Sequence, residues 1–157
     1  MRLSQSELEK KVFEKFVRHI GINVICFLAC DPPEPDILCN TERGKLYFEL
    51  TDNTPEQMQK TVHARKEAVR NNPCWIDPFP EVYKQKFKNH YETNSVSCEL
   101  VIYFGIHPVP ELGVHFDIRL QESIEWIRQY KQQSEFQKVW IYDYNQDQVL
   151  AYVNGNT

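Results

Sequence analysis

The amino-acid sequence predicts an α/β protein in which helices flank a mixed β-sheet. Segments with apolar residues three or four positions apart, as between Ser4 and His19, alternate with short apolar runs such as Ile22–Ala29 and Cys98–Ile106. The spacing is typical of helices with one buried face, and the runs are typical of buried strands. The predicted order is helix, three strands, helix, strand, helix and a terminal hairpin, and a layered sheet buries all these faces economically.

Length and composition agree with a folded globular chain. The 157 residues are 41% hydrophobic and 13% aromatic, enough to bury a core within one domain over residues 1–157. The net charge of −4 disfavours a simple nucleic-acid-binding protein, which is usually basic overall. It is compatible with an enzyme that has a local basic groove.

The start of the chain and its cysteines indicate the compartment. No signal peptide pattern or apolar run of membrane length is visible, so we expect a cytoplasmic protein without membrane contact. The five cysteines lie mostly in apolar, strand-like runs and lack the spacing of a zinc site. We therefore expect buried free thiols in place of disulfides.

The first helix is predicted to begin after Ser4 or Ser6, to run to about His19 and to end at Gly21. Ser6 and Glu9 have the spacing of a capping box. At about 100° per residue, Glu9 falls inside the apolar stripe. It is either an acidic residue aimed at a site or a first-turn residue favoured by the helix dipole. The stripe consists of Leu8, Val12, Phe13, Phe16 and Ile20.

Three strands are predicted next. Ile22–Ala29 is an almost continuous apolar run, expected of a strand covered on both faces. A hairpin that turns at Gly44 follows. Its second strand, Lys45–Thr51, alternates between apolar and polar residues, which predicts one apolar face. The hairpin would place Asp36 and Glu49 near each other at one end of the sheet, with room for a divalent ion.

A plainer interpretation of this pair stays open. Asp36 would then only end a turn, and Glu49 would face solvent and pair with Arg43 or Lys45.

The middle of the chain is predicted to contain a helix and then a long connection. The helix spans roughly Glu56 to Arg70, with Arg65 on its inner face unless its guanidinium extends to the surface. The segment Asn71–Asn94 is rich in proline and aromatic residues, and its part Tyr83–His90 is basic. It is either a solvated, irregular connection or a basic lip that contacts a phosphate backbone.

The last third of the chain is predicted to hold a strand, a helix and a hairpin. The strand Cys98–Ile106 leads to a turn-rich break, and a helix begins at Asp117. The strands Val139–Tyr144 and Val149–Val153 form the hairpin. Within the break, the set His107, Glu111 and His115 is disfavoured as a metal site, because two prolines and Gly113 forbid the helix that would align it.

These elements and residues resemble the PD-(D/E)XK nuclease superfamily. The chain carries Pro35-Asp36 on one strand and Glu49-Leu50-Thr51 on the next, between a first helix and a following helix and strand. The resemblance covers roughly residues 4 to 106. It implies a restriction-endonuclease-like αβββαβ core, here with an extra helix and a C-terminal hairpin.

The resemblance also implies a chemistry for the site. Asp36 and Glu49 would hold Mg²⁺ or Mn²⁺ through oxygen ligands with the Leu50 carbonyl, and Glu9 would be a third acid. Thr51 stands where the family has a lysine, and a hydroxyl cannot replace that charge. The cation would come from the following helix, with Arg65 the first candidate and Lys66 the second.

The sequence therefore predicts a metal-dependent nuclease that hydrolyses DNA or RNA phosphodiesters, with a homodimer or protein partner expected. The alternative is a catalytically inactive nuclease-fold protein that serves as a binding or regulatory module, which Thr51 and the segment Asn71–Asn94 favour. A third interpretation, a small-molecule-binding α/β domain, requires an apolar pocket remote from Asp36.

Overall fold

The computed structural model describes residues 3–52, 79–104 and 116–155 of the chain. Within these ranges the helices are α1 (Gln5–Ile20), α2 (Phe79–Lys88) and α3 (Phe116–Lys131). The strands are β1 (Val24–Ala29), β2 (Ile37–Thr41), β3 (Gly44–Asp52), β4 (Cys98–Phe104), β5 (Phe136–Asp143) and β6 (Gln148–Asn154).

The six strands form one mixed sheet in the order of the chain, β1-β2-β3-β4-β5-β6. The pairs β1–β2, β2–β3 and β5–β6 are antiparallel, and β3–β4 and β4–β5 are parallel. The predicted α/β class with a mixed sheet flanked by helices is therefore confirmed.

Helices pack on both faces of the sheet because the central strands β4 and β5 carry apolar residues on both sides. On one face, α1 contributes Val12, Phe13, Phe16 and Val17 to a core with Phe48, Leu50, Val101 and Tyr103. On the other face, Phe87 of α2 and Ile127 of α3 pack with Leu100, Ile102, Val139 and Ile141. The alternation along β3 directs Glu49 and Thr51 towards the face that α2 and α3 cover.

Helix α1 is fixed at both ends by its local sequence. Ser4, not Ser6, is the N-cap, and it forms a capping box with Glu7. Glu9 therefore has no capping role, and the capping box predicted from the spacing of Ser6 and Glu9 is wrong. Gly21 ends the helix in the left-handed conformation with a φ of 73°, as predicted.

Two predicted elements are corrected. Part of the segment Asn71–Asn94 is helical, because α2 occupies Phe79–Lys88 and buries Phe87 against the sheet. Strand β1 is not covered on both faces. It lies at the edge of the sheet, where Ile25 and Leu28 are largely exposed. An apolar run alone does not distinguish a central strand from an edge strand.

Other predictions lie outside the described residues or are settled in part. The helix Glu56–Arg70 and the set His107, Glu111 and His115 lie outside them. No helix among residues 3–52, 79–104 and 116–155 is long and apolar enough to cross a membrane. The cysteines in these ranges are free thiols. Cys39 and Cys98 are buried as expected, whereas Cys26 is exposed and Cys30 is half-buried.

Candidate functional site: an acidic pair with a buried lysine

Asp36 and Glu49 meet where β2 begins beside β3. Ile37 pairs with Phe48, so Asp36, the residue before β2, comes opposite Glu49. The backbone N–H of Asp36 donates to Glu49 Oε2 at 3.1 Å. In return, the backbone N–H of Leu50 donates to Asp36 Oδ2 at 2.8 Å. The two side chains are thus held by backbone groups of neighbouring strands, which fixes their positions.

Glu49 is buried and does not face solvent. Its exposed fraction is 3%, so the interpretation that pairs it with Arg43 or Lys45 at the surface is wrong. Its partner is Lys86 of α2, whose Nζ lies 2.5 Å from Glu49 Oε1. The hydroxyl of Tyr91 donates to the same oxygen at 3.3 Å. Glu49 therefore has hydrogen-bond donors at both carboxylate oxygens.

Burial and neighbouring charges shift the pKa values of Glu49 and Lys86. Burial and the charge of Asp36 raise the pKa of Glu49 to about 7, against the opposing effect of Lys86. Burial also disfavours the Lys86 ammonium, but the carboxylates of Glu49, Asp36 and Glu9 outweigh it and raise the pKa of Lys86. Lys86 therefore stays protonated at neutral pH.

Glu9 belongs to the same electrostatic cluster. Burial first, and then the charge of Asp36, raises the pKa of Glu9, while Gln5 and Lys86 act in the opposite direction. The side chain of Gln5 donates to Glu9 Oε1 at 2.9 Å. The structure thus brings Asp36, at the start of β2, into electrostatic reach of both Glu9 of α1 and Glu49 of β3, and Lys86 into reach of all three.

The cation that the structure places at the site is Lys86, which is neither of the two residues predicted for this role. Arg65 and Lys66 lie outside the described residues, whereas Lys86 contacts Glu49 directly. Thr51 is buried, two residues after Glu49 on the same strand face. The sequence does carry a signal for Lys86. Phe79, Tyr83 and Phe87 are spaced by four, a helical stripe beside which Lys86 falls. The prolines of the segment obscured that stripe.

The donor set fits a hard divalent cation. Mg²⁺ is usually held by one or two carboxylates and keeps several waters, and Asp36 and Glu49 provide such a pair. Among the described residues, no three His, Cys, Asp or Glu side chains are grouped closely enough to hold a metal ion. A cation at the pair would have to displace Lys86 from Glu49 Oε1, and Glu9 would have to move inwards to become a third ligand.

A groove of about 540 Å³ lies at the other end of β3. Its lining includes Lys45, Glu99, Lys138 and Trp140, so it is a polar groove and not the apolar pocket that a small-molecule domain requires. The indole N–H of Trp140 donates to Glu99 Oε2 at 2.8 Å. Burial raises the pKa of Glu99 against the effects of Trp140 and Lys138.

Comparison with known proteins finds no relative of this chain. The chain matches no protein-family model, no curated protein and no solved structure. The functional argument therefore depends on the residues of the site alone.

Proposed function

We propose that the protein is a divalent-metal-dependent hydrolase of the PD-(D/E)XK type that cleaves nucleic-acid phosphodiesters. The observation that carries the proposal is the contact of Lys86 Nζ with Glu49 Oε1 beside Asp36. This contact supplies an ammonium at the acidic pair, which is the group that Thr51 lacks.

The order of the elements supports the same proposal. The described chain runs α1, β1, β2, β3, α2, β4, with one described helix between β3 and β4 as in the αβββαβ order. The helix predicted at that place, Glu56–Arg70, lies outside the described residues. Asp36 comes directly before β2, and Glu49 lies within β3. The elements α3, β5 and β6 are the extra helix and the C-terminal hairpin strands.

Each residue has a role that its position allows. Asp36 and Glu49 would hold the cation with the Leu50 carbonyl, and Glu9 would be the third acid after it moves inwards. A bound Mg²⁺ or Mn²⁺ supplies the Lewis acid that polarises the phosphodiester and lowers the pKa of the attacking water. Lys86, whose Nζ contacts Glu49 Oε1, would stabilise with its ammonium the negative charge that develops on the phosphate.

A second candidate is a nuclease-like fold without catalysis that serves as a binding or regulatory module. The specific observation in its favour is that Asp36, Lys86 and Tyr91 already supply donors to both oxygens of Glu49. A carboxylate satisfied in this way is stable without a metal ion.

We place the protein in the cytoplasm in either case, because its described cysteines are free thiols. The homodimer or protein partner stays a prediction.

Cleavage assays with titrated Mg²⁺ or Mn²⁺ test the proposal on single- and double-stranded DNA and RNA. We expect Asp36→Ala, Glu49→Ala and Lys86→Ala to lower the rate roughly 100-fold or more. Lys11→Ala is the matched control, because Lys11 is an exposed lysine of α1 with no role in the proposed site. Metal-dependent cleavage that survives both carboxylate substitutions contradicts the assignment. A protein that binds no metal and cleaves nothing supports the second candidate.

A further inference from the structure

A surface next to the acidic site combines aromatic rings with ammonium groups. It consists of Lys84 and Lys88 of α2 and Trp126 and Tyr130 of α3, and we call it the aromatic–basic strip. Trp126 is 43% exposed, although large apolar side chains are usually buried. Its ring centroid lies 5.7 Å from that of Tyr130, and Lys84 Nζ lies 5.6 Å from the Tyr130 centroid.

The strip is connected to the acidic site by continuous side-chain contacts. Tyr91, which donates to Glu49, packs on Phe136 with ring centroids 5.5 Å apart. Phe136 contacts Phe87 at 5.8 Å, and Phe87 stacks on Tyr130 at 6.0 Å. Helix α2 also places Lys86 at Glu49 and Lys84 at Tyr130, two residues apart. The strip and the acidic site therefore share helix α2, on different faces of that helix.

The charges of the strip favour an anionic partner. On α2, the strip contains Lys84 and Lys88, and no acid lies between them in the sequence. On α3, Glu125 precedes Trp126, and its carboxylate is paired with Arg128 at 2.7 Å. Glu122, exposed one turn before Trp126, is the other acidic side chain that the structure describes on α3. Lysines outnumber the unpaired acid here, despite the net negative charge of the whole protein.

We propose that the aromatic–basic strip binds single-stranded nucleic acid, which makes a single strand the substrate of the hydrolase proposed above. The inference rests on that function for the cleavage step, but not for binding. Unpaired bases stack on exposed rings such as Trp126, whereas a duplex keeps its base faces covered. The ammonium groups of Lys84 and Lys88 are spaced one helical turn apart and neutralise phosphates along the strand.

Binding measured in EDTA tests the inference without cleavage. The probes are a fluorescently labelled single-stranded DNA, the matching RNA and the matching DNA duplex. We expect tighter binding of the single strands than of the duplex. Trp126→Ala should weaken single-strand binding roughly fivefold or more, and Trp126→Phe should restore much of the loss. Lys84→Gln with Lys88→Gln should lower the salt dependence of binding, by about 0.7 per lysine in the logarithmic slope.

Tyr152→Ala is the matched control, because Tyr152 is also an exposed ring beside a lysine. It is 56% exposed and lies 5.3 Å from Lys138 Nζ, but it contacts Trp140 on the face that α1 covers. Unchanged single-strand affinity in Trp126→Ala, or an equal loss in Tyr152→Ala, overturns the inference even if the protein cleaves. Single-strand binding that needs Trp126 supports the inference even if no cleavage occurs, and then the proposed hydrolase fails instead.

Discussion

At the scale of single residues, the part of the site that the structure describes is a cluster of like charges around the Lys86 ammonium. Asp36 raises the pKa of both Glu9 and Glu49, after the larger effect of burial. Lys86 partly offsets this repulsion. Groups with strongly perturbed pKa values in contact with one another are typical of functional sites, because an ordinary core does not retain such repulsion. An additional cation would relieve it.

The first prediction concerns the pair of Lys86 and Glu49. Lys86→Met removes the ammonium from a carboxylate that is 3% exposed, so it should lower the free energy of unfolding by about 1–3 kcal/mol in EDTA. The double substitution Lys86→Met with Glu49→Gln should recover much of this loss, because no buried charge is left without its partner. Urea denaturation of the unchanged protein, the two single variants and the double variant measures the coupling energy between the two residues. Additive effects would contradict a direct pair.

A pH prediction follows from Glu99, whose side chain lies on the opposite face of the sheet from that of Glu49. Its pKa is raised above the ordinary value of 4.5, mainly by burial. The folded state therefore prefers the protonated acid, and this stabilisation is present at low pH and is lost as the pH rises above 4.5. Glu99→Gln keeps an oxygen for the Trp140 indole N–H but removes the charge.

The difference between Glu99→Gln and the unchanged protein isolates this group. As the pH rises from about 4 to about 8, the melting temperature of Glu99→Gln should increase relative to that of the unchanged protein. This is the range in which buried acids lose their proton. A difference that stays constant, or that moves in the opposite direction, would contradict the assignment.

At the scale of elements, α2 determines whether the site has a cation. Phe87 fixes this helix, since its ring is 4% exposed and contacts Tyr130 and Phe136. Lys86 is the preceding residue, so its ammonium reaches Glu49 only when the Phe87 ring is packed against Tyr130 and Phe136. The site therefore depends on the packing of one aromatic ring.

Phe87→Ala should lower the free energy of unfolding by about 3–5 kcal/mol, because it leaves a cavity between α2, α3 and β5. Lys88→Ala, at the exposed neighbouring position, should change it by less than about 0.5 kcal/mol. Chemical denaturation monitored by circular dichroism measures both. Equal stability of Phe87→Ala and the unchanged protein would show that α2 does not pack as described.

The sequence was most informative where local chemistry determines structure. The apolar face of β3, the glycine after α1 and the hairpin between β5 and β6 all follow from neighbouring residues, and these predictions are confirmed. That the polar face of β3 is also buried does not follow from the alternation, because it depends on the packing of α2. Helix α2 was missed because prolines and aromatic residues also occur in connections, and only tertiary packing shows that Phe87 is buried. The edge position of β1 was missed for a similar reason, since strand order is not a local property.

The same distinction applies to the candidate site. Asp36 and Glu49 were identified because a hairpin register is nearly a local property, and Glu9 because its helix has a clear stripe. The contact of Lys86 joins residues 37 positions apart through a helix that was not predicted. Sequence reasoning therefore placed the cation on a different segment, at Arg65 or Lys66, which lie outside the described residues.

At the scale of the whole molecule, both faces of the sheet contribute to the site. Helix α1 covers one face and supplies Glu9, while α2 covers the other and supplies Lys86. Asp36 and Glu49 lie between them in adjacent segments of the sheet. Because these groups come from elements far apart in the chain, their charges converge only in the folded protein, and a metal ion bound there would stabilise that state.

Calorimetric titration of the folded protein with Mn²⁺ therefore tests the central claim most directly. We predict binding to the unchanged protein, loss of binding in Asp36→Ala and Glu49→Ala, weaker binding in Glu9→Gln, and no change in Glu14→Gln, an exposed control on α1. Circular dichroism of each variant confirms that it is folded. Absence of binding to the unchanged protein, or undiminished binding to Asp36→Ala and Glu49→Ala, would contradict the account.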